Sequence, residues 1–463
     1  MSEKMREQRM LMNLGRLNKV AVSLLCASMM FGAMACKNTK PDDKKQLTAS
    51  NSKLPPPEAQ EEFKKAVAFY EEGNYKKADR RLEDVTQISP NFAKAWYNRG
   101  VIAEKEGDKE KAREYYEKAE SVSKKLGAPS VNLGMMAIAE NKSDNAFEHF
   151  QTAITKDKYN PQAHNNLSVL ARRQGDYKKA VVHARQSLAG DSQNTTAYSN
   201  LALIYYKMGY NDVAKLVVLN ALKISDKDAD VWNTYGLVEL ANNDVTKAIR
   251  YFEEAVTLDA NHVEALMNLG AITLSVRDYD KAIEYFERVL KLDEKNNEAL
   301  VSLAVARRGK GNLQEAEKIY KDVLAKDPEN AMALFNLGVL EQEHLTQEAI
   351  LGEGKEPPKE DPVSQMQRVT ENMEDAVKHQ EKARTYYEKF LAAYESSAGG
   401  EDERAVEARE RLKTIDQGIE TFYEQIQMTK QNIEDLKNMP PPEEPPAEEE
   451  AVEEGADAEE GAE

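Results

Sequence analysis

The stretch AKAWYNRGVIAEKEGDKEKAREYYEKA, from Ala93 to Ala119, decides the fold. Apolar or small residues recur in it at helical spacing, a Gly-Asp turn interrupts them, and a second helical pattern follows. The stretch therefore predicts two amphipathic helices that fold back on each other as an antiparallel hairpin.

Small residues recur through the chain at a fixed interval of 34 and form two ladders. The first ladder consists of Ala66, Gly100, Gly134, Ser168, Ala202, Gly236, Gly270, Ala304 and Gly338. The second lies twelve positions further on and consists of Ala78, Ala112, Ala146, Ala180, Ala214, Ala248, Ala282 and Ala316. When Ala93 is counted as place 1, the ladders occupy places 8 and 20, where we expect the two helix backbones of each hairpin to cross closely.

Large rings complete the pattern, because Tyr116, Phe150, Phe252, Phe286 and Tyr320 share place 24. Over about residues 59 to 339 the chain resembles the tetratricopeptide repeat (TPR) family, with one further, interrupted repeat. The resemblance implies an all-α fold: a TPR α-solenoid, a right-handed superhelix of about nine helix hairpins with a concave groove.

The first residues resemble an export signal. Basic residues precede an apolar run from Val20 to Ala35, which is short for a bilayer span and ends at Cys36. A Cys directly after small residues resembles the lipobox of bacterial lipoproteins, although Ala33 and Met34 depart from its usual residues. We therefore expect a signal peptide over 1–35, a lipidated Cys36 and a periplasm-facing outer-membrane protein. The alternative is an uncleaved inner-membrane anchor.

Charge is concentrated at the other end of the chain. The net charge is −18, which argues against a nucleic-acid-binding surface, and Glu443 to Glu463 contain eleven acids and no Lys or Arg. Residues 439–463 are therefore predicted to be a disordered, Pro/Glu-rich acidic tail, and residues 36–58 a flexible tether.

The body between these ends divides by pattern. Repeats one to eight and the first helix of repeat nine are predicted over 59–343, an insertion with an acidic, Pro-rich loop over 344–375, and the second helix of repeat nine over 376–396. A last helix over 401–438 has a heptad seam: Leu412, Ile415, Ile419, Phe422, Ile426, Thr429, Ile433 and Leu436. We interpret this helix as a cap on the solenoid; self-association or a partner helix is the alternative.

No catalytic constellation is visible in the sequence. Phosphate-loop and zinc-protease motifs are absent, the two cysteines are Cys26 in the leader and Cys36 directly after it, and the six histidines have no ligand spacing. We expect no enzyme activity, no cofactor and no metal site, and we interpret His164 and His183 as packing or surface residues.

The resemblance to the TPR family implies that places 2, 5, 9, 12 and 13 of each first helix line the concave groove. In the fourth to sixth repeats these places give a basic and apolar strip in an acidic protein, suited to an extended peptide with acidic side chains. The alternative is that its arginines are ordinary solvated residues. The strip contains Asn165, Arg172, Arg173, Ser199, Leu203, Tyr206, Lys207, Asn233, Leu237 and Leu240.

The sequence therefore predicts a non-catalytic scaffold for a cell-envelope complex, with other envelope proteins or their extended segments as partners. In overall plan the chain resembles the TPR lipoproteins of the gliding-motility machinery of deltaproteobacteria. The alternative is a pilotin-like or polysaccharide-export lipoprotein that assists an outer-membrane pore.

The substitution Cys36→Ser tests the lipid anchor. We expect the variant to lose its place in the outer membrane, because the thiol that carries the lipid is gone and one remaining apolar run is a poor substitute. Membrane fractionation measures this, and a variant that still fractionates wholly with the outer membrane would rule the anchor out. Cys26→Ser, which lies inside the leader, is the matched control.

Overall fold

The computed structural model describes residues 55–354, 361–397 and 403–439, and all regular secondary structure in these ranges is helical. The predicted leader, Cys36, most of the tether, the Pro-rich centre of the insertion and the acidic tail lie outside the described residues. None of the described helices is both long and apolar enough to cross a membrane.

Paired helices follow one another along the chain. Their bounds are α1 Pro57–Glu71, α2 Tyr75–Ile88, α3 Ala93–Lys105, α4 Lys109–Val122, α5 Ala128–Ala139, α6 Ser143–Lys156, α7 Pro161–Arg173, α8 Tyr177–Gly190, α9 Thr195–Lys207, α10 Asn211–Ile224, α11 Ala229–Ala241, α12 Val245–Leu258, α13 Val263–Ser275, α14 Tyr279–Leu292, α15 Asn297–Gly309, α16 Leu313–Lys326, α17 Ala331–Val339, α18 Thr346–Leu351, α19 Pro362–Ser397 and α20 Glu403–Asn438. Contacts divide them into two units, one up to Ala306 and one from Arg307.

Each hairpin of the first unit is closed by contact between places 8 and 24. A Cβ added to Gly236 would lie 2.5 Å from the ring of Phe252, which is itself fully buried. Gly100, Gly134 and Gly270 meet the place-24 rings of their own repeats in the same way. In three repeats with Ala or Ser at place 8, place 24 holds a smaller side chain, as in Ala202 with Val218, whereas the eighth repeat has Ala304 at place 8 and Tyr320 at place 24. In the first seven repeats the two places therefore share one volume.

Local signals start and stop the helices at the same interval. The turn inside each repeat has a residue with positive φ at place 15, and these residues are Gly73, Gly107, Asn141, Gly175, Gly209, Asn243, Arg277 and Gly311. At the next place a side chain often caps the second helix, as Asp244 accepts a hydrogen bond from the Lys247 backbone N–H. Place 34 caps the following first helix, as Asn194 does for Ala197.

The second unit contains the interrupted repeat. After α17 a π-helical turn over Leu340–Leu345 continues into α18, and the long helix α19 begins at Pro362 instead of near residue 376. The sequence between Pro362 and Ser397 has no further Pro or Gly, so nothing ends the helix, and Pro is well suited to its first position. Much of the predicted insertion is thus helical. A Cβ on Gly338 would meet Tyr387 at 2.8 Å, so the closing contact of the repeat is kept across the insertion.

The last two helices form an antiparallel pair of 36 residues each, about 54 Å long at 1.5 Å per residue. Three ion pairs between α19 and α20 show which residues of the two helices lie opposite each other: Lys430 with Glu374 at 2.8 Å, Arg384 with Asp416 at 3.5 Å and Arg409 with Glu395 at 3.3 Å. The heptad seam is buried or half-buried, and Ala408 and Ile415 pack in one cluster with Tyr387 and Phe390. The first part of the seam, Leu412, Ile415 and Ile419, thus packs on the ninth repeat, which is the contact that the capping interpretation requires.

A guanidinium links α20 to the π-helical turn. Arg411 donates from Nη1 to Gln342 Oε1 at 3.0 Å and to Glu343 Oε1 at 2.7 Å, while the Tyr387 hydroxyl donates to Gln342 Oε1 at 3.2 Å. In the same turn Glu341 is buried and its Oε2 lies 2.6 Å from His379 Nδ1. The turn is therefore held by both long helices.

The substitution Arg277→Gly should stabilise the protein. Arg277 is exposed at φ 63°, a conformation that costs a residue with a Cβ about 1–2 kcal/mol. After allowing for the greater freedom of glycine in the unfolded chain, we expect a gain of about 1 kcal/mol, measured by urea unfolding. Arg277→Ala is the control, since it removes the charge and keeps the Cβ. An equal gain in both variants would show that backbone strain is not the cause.

The substitution Ile415→Ala should destabilise the second unit by about 3 kcal/mol, because Ile415 is fully buried in the cluster under α20. Met428→Ala, on the same helix at 66% exposure, should change the unfolding free energy by less than about 0.5 kcal/mol. Thermal unfolding followed by circular dichroism compares the two variants. Equal stability of both would mean that α20 does not cap the unit.

Candidate partner-binding site

The first helices of the fourth, fifth and sixth repeats, α7, α9 and α11, pack side by side in the first unit. The ten residues predicted to bind a partner lie on them at places 5, 9, 12 and 13, which share one helix face because successive turns repeat every three or four residues. We call these ten residues the inner strip. The structure brings them together but gives them different roles.

The place-5 residues are bonded to the neighbouring repeat. Asn165 Oδ1 accepts from Asn200 Nδ2 at 2.7 Å, and Asn233 Oδ1 accepts from Asn268 Nδ2 at 2.9 Å. Ser199, which is also buried, donates to Thr234 Oγ1 at 3.2 Å. Asn165, Ser199 and Asn233 therefore join adjacent first helices, and their polar groups are already used inside the fold.

The place-9 residues form the apolar floor of the strip. Leu203 and Leu237 are largely buried, at 9% and 4% exposure, and pack in one cluster with Leu240. This cluster continues to Ala271 in the next repeat. The floor thus offers shallow apolar contact along three repeats.

Basic residues lie at the C-terminal ends of α7 and α9. Lys207 Nζ lies 5.4 Å from the centre of the Tyr206 ring, within the range of a cation–π contact. Arg173 is exposed, whereas Arg172 is half-buried and its Nε has no hydrogen-bond partner among the described residues. Burial, and secondly the charge of Arg173, lower the pKa of Arg172. We call Arg172, Arg173 and Lys207 the basic edge of the strip. The Nε of Arg172 is a buried polar atom of this edge that has no hydrogen-bond partner among the described residues.

Acidic residues lie at the opposite ends of the first helices, and the sequence analysis missed them. His262 Nε2 lies 3.1 Å from Asp230 Oδ1 and its Nδ1 lies 3.4 Å from Glu264 Oε2. Burial alone would lower the pKa of His262, but these contacts outweigh burial and raise it to about 9. Burial raises the pKa of Glu298 to about 7. Asp230, Glu264 and Glu298 all occupy place 2 of their repeats, so the repeat register could have identified them from the sequence.

The described ranges contain no group of three or more His, Cys, Asp or Glu side chains that could hold a metal ion. His164 is buried, its Nε2 lies 2.9 Å from the Lys158 carbonyl oxygen, and its Nδ1 lies 3.1 Å from His183 Nδ1. The pair packs within one repeat, as the sequence predicts.

Comparison with known proteins identifies the repeats. Family models described as tetratricopeptide repeats match residues 63–125, 131–195, 195–228, 227–295 and 273–337, which is more than half of the chain. Proteins of this kind are generally non-catalytic scaffolds that bind other proteins. No curated protein matches the chain.

Solved structures of several TPR proteins are similar to parts of the chain. PilW, a widely conserved type IV pilus biogenesis factor, is 19% identical, with 47% of this chain and 99% of that chain covered and a TM-score of 0.40. PilF of Pseudomonas aeruginosa is 20% identical over 45% and 94%, with a TM-score of 0.37. A TPR protein from Parabacteroides merdae is 16% identical over 62% and 98%, with a TM-score of 0.37. Scores this low carry no argument, but the family models suffice: the chain belongs to the tetratricopeptide repeat family.

Proposed function

We propose that this protein is a non-catalytic scaffold whose inner strip binds an extended segment of a partner protein that carries carboxylates. The observation that carries the proposal is the buried Nε of Arg172, which has no hydrogen-bond partner among the described residues. A buried donor without an acceptor costs about 1–3 kcal/mol, and more when the group is charged. A carboxylate of the partner would relieve that cost.

The basic edge is suited to such a ligand. Arg172 and Arg173 are the last two residues of α7, and Lys207 is the last residue of the adjacent helix α9. Guanidinium and carboxylate form paired hydrogen bonds that are about twice as strong as neutral ones. Burial lowers the pKa of Arg172, and a ligand carboxylate would act in the opposite direction, because an opposite charge nearby favours the charged guanidinium.

The rest of the strip supports the choice of an extended peptide. The floor of Leu203, Leu237 and Leu240 accepts apolar side chains along its length. Asp230, Glu264 and Glu298 lie at the other end of the first helices, so the strip has one basic and one acidic edge. A peptide with acidic side chains toward one edge and basic or polar ones toward the other would match both.

The leader and Cys36 support anchoring by a lipid, and therefore a place at the periplasmic face of the outer membrane. In size, leader and acidic tail the chain resembles the TPR lipoproteins of gliding-motility machinery, and we propose a cell-envelope complex of that kind as its setting. The protein would then assemble partners close to the membrane and perform no chemistry of its own.

Reversal of charge at the basic edge tests the inner strip. We expect Arg172→Glu combined with Arg173→Glu to lower partner recovery at least tenfold, because each new carboxylate repels the acidic ligand. Recovery is measured by affinity purification of the full chain after cross-linking in its native membranes. Circular dichroism confirms that helical content is unchanged.

The matched control combines Arg80→Glu with Arg250→Glu, two exposed arginines on the second helices of other repeats. It makes the same change in net charge away from the strip, so full recovery is expected. Unchanged recovery in the Arg172 and Arg173 variant would move the binding site away from the strip, to the insertion or α20.

A further inference from the structure

Two second helices in the middle of the first unit carry large apolar side chains that point into solvent. Val182 on α8 is 53% exposed, and on α10 and at its cap Leu216 is 63%, Val213 42% and Tyr210 54% exposed. We call these four residues the outer patch. Apolar residues exposed singly are normal, but a contiguous group on the surface of a soluble unit marks an interaction site.

The repeat register shows how unusual these residues are. Val182 and Leu216 both occupy place 22, where the other six complete repeats have charged residues: Arg80, Glu114, Glu148, Arg250, Glu284 and Lys318. Place 19 holds Lys in five repeats and Val213 in the fifth. Tyr210 stands at place 16, where six repeats have Asn or Asp at the start of the second helix. Five of these side chains accept a capping hydrogen bond, and Asn312 does not. The fold therefore does not require apolar residues at these places.

The outer patch spans two neighbouring helices. Val217 of α10 packs against a cluster that contains Ala180 and Ala184 of α8 together with Leu201 and Ile204 of α9, so both second helices pack around the first helix that lies between them in the chain. Residues 210, 213 and 216 follow each other at intervals of three and lie along one face of α10. The patch is thus a raised surface of side chains and not a groove.

Positive charge surrounds the patch. Helix α8 contains Lys178, Lys179 and Arg185 and no Asp or Glu, which is true of no other second helix in the eight complete repeats. Lys223 lies at the end of α10, whose one acid is Asp212. Part of this charge is used inside the fold, since Lys179 pairs with the cap Asp176 and Arg185 donates to the Tyr205 hydroxyl. The two helices remain basic in a chain with a net charge of −18.

We propose that the outer patch binds the surface of a phospholipid bilayer that contains anionic lipids. Exposed apolar residues with flanking lysines are the features by which a protein lies on such a surface: the apolar groups enter the headgroup region and each nearby Lys or Arg gains about 1 kcal/mol from the negative surface potential. Tyr210 adds an amphipathic ring, which favours the membrane interface. The proposal extends the proposed function, in which the chain is held close to a membrane.

The shape and charge of the patch favour a bilayer over a partner peptide. A bound helix needs a groove and a bound strand needs a free sheet edge, and neither is formed by these exposed side chains. The acidic remainder of the chain does not prevent the contact, because exposed charges further away than about 10 Å are screened at 0.1 M salt. Apolar residues without basic neighbours would have suggested a protein partner instead.

The test places an environment-sensitive fluorescent label at the patch. In the full chain with Cys26→Ser and Cys36→Ser, Leu216→Cys supplies the one labelling site, and the protein is reconstituted with vesicles of phosphatidylethanolamine with or without phosphatidylglycerol. We expect a blue shift of at least 10 nm, and quenching by lipid-bound quenchers, only when phosphatidylglycerol is present. The shift should disappear when Val182→Glu is added.

Glu284→Cys, labelled in the same way, is the matched control, because it occupies place 22 of another repeat and is exposed. We expect its emission to stay unchanged in both kinds of vesicle. A label at residue 216 that behaves like the label at 284 overturns the proposal and leaves a protein partner as the occupant. No partner protein and no lipid on Cys36 enter the assay, and binding through the apolar leader would bring the label at 284 to the vesicles as much as the label at 216.

Discussion

The close approach of two helices at places 8 and 24 is the constraint on which the rest of the first unit depends. In the first seven repeats, a glycine at place 8 faces a large ring, and an Ala or Ser there faces a smaller side chain, as Ala66 with Leu82 and Ser168 with Ala184 show. One shared volume thus sets the distance between the helices of these seven hairpins. Because protein interiors are close-packed, a change at one place alone opens a cavity or forces the backbones apart.

The fold was predictable because its determinants repeat. A period of 34 with small residues at two places specifies hairpins, their length and their number, and the family models confirm it. The caps at places 16 and 34 are also visible in the sequence, because most of them are Asn or Asp. The length of α19 was harder to predict, because the Pro-rich segment before it suggested a long loop and the helical pattern after Pro362 is only weakly apolar.

The position of the inner strip on the first helices was predictable from the sequence, whereas the hydrogen bonds of its residues were not. Place 5 belongs to the inner face of a single helix, yet in the assembled unit it lies at the seam between two first helices, where Asn165 and Asn233 bond to the next repeat. The repeat register of the sequence identifies the residues on one face of a helix. It does not show which of their polar groups are hydrogen-bonded to the neighbouring helix. Arg172 differs from the place-5 residues, because its buried Nε has no hydrogen-bond partner among the described residues.

The caps have a consequence for how the array could have grown. Since each helix of the first eight repeats carries much of its own start and stop signal, a block of 34 residues can be copied or lost without changing the signals of its neighbours. The ninth repeat is different, because Arg411 and His379 bind residues of one π-helical turn that occurs once in the described chain. Gene duplication can therefore lengthen the chain before this repeat, whereas a copy of the ninth repeat would carry contacts that only a terminal position can satisfy.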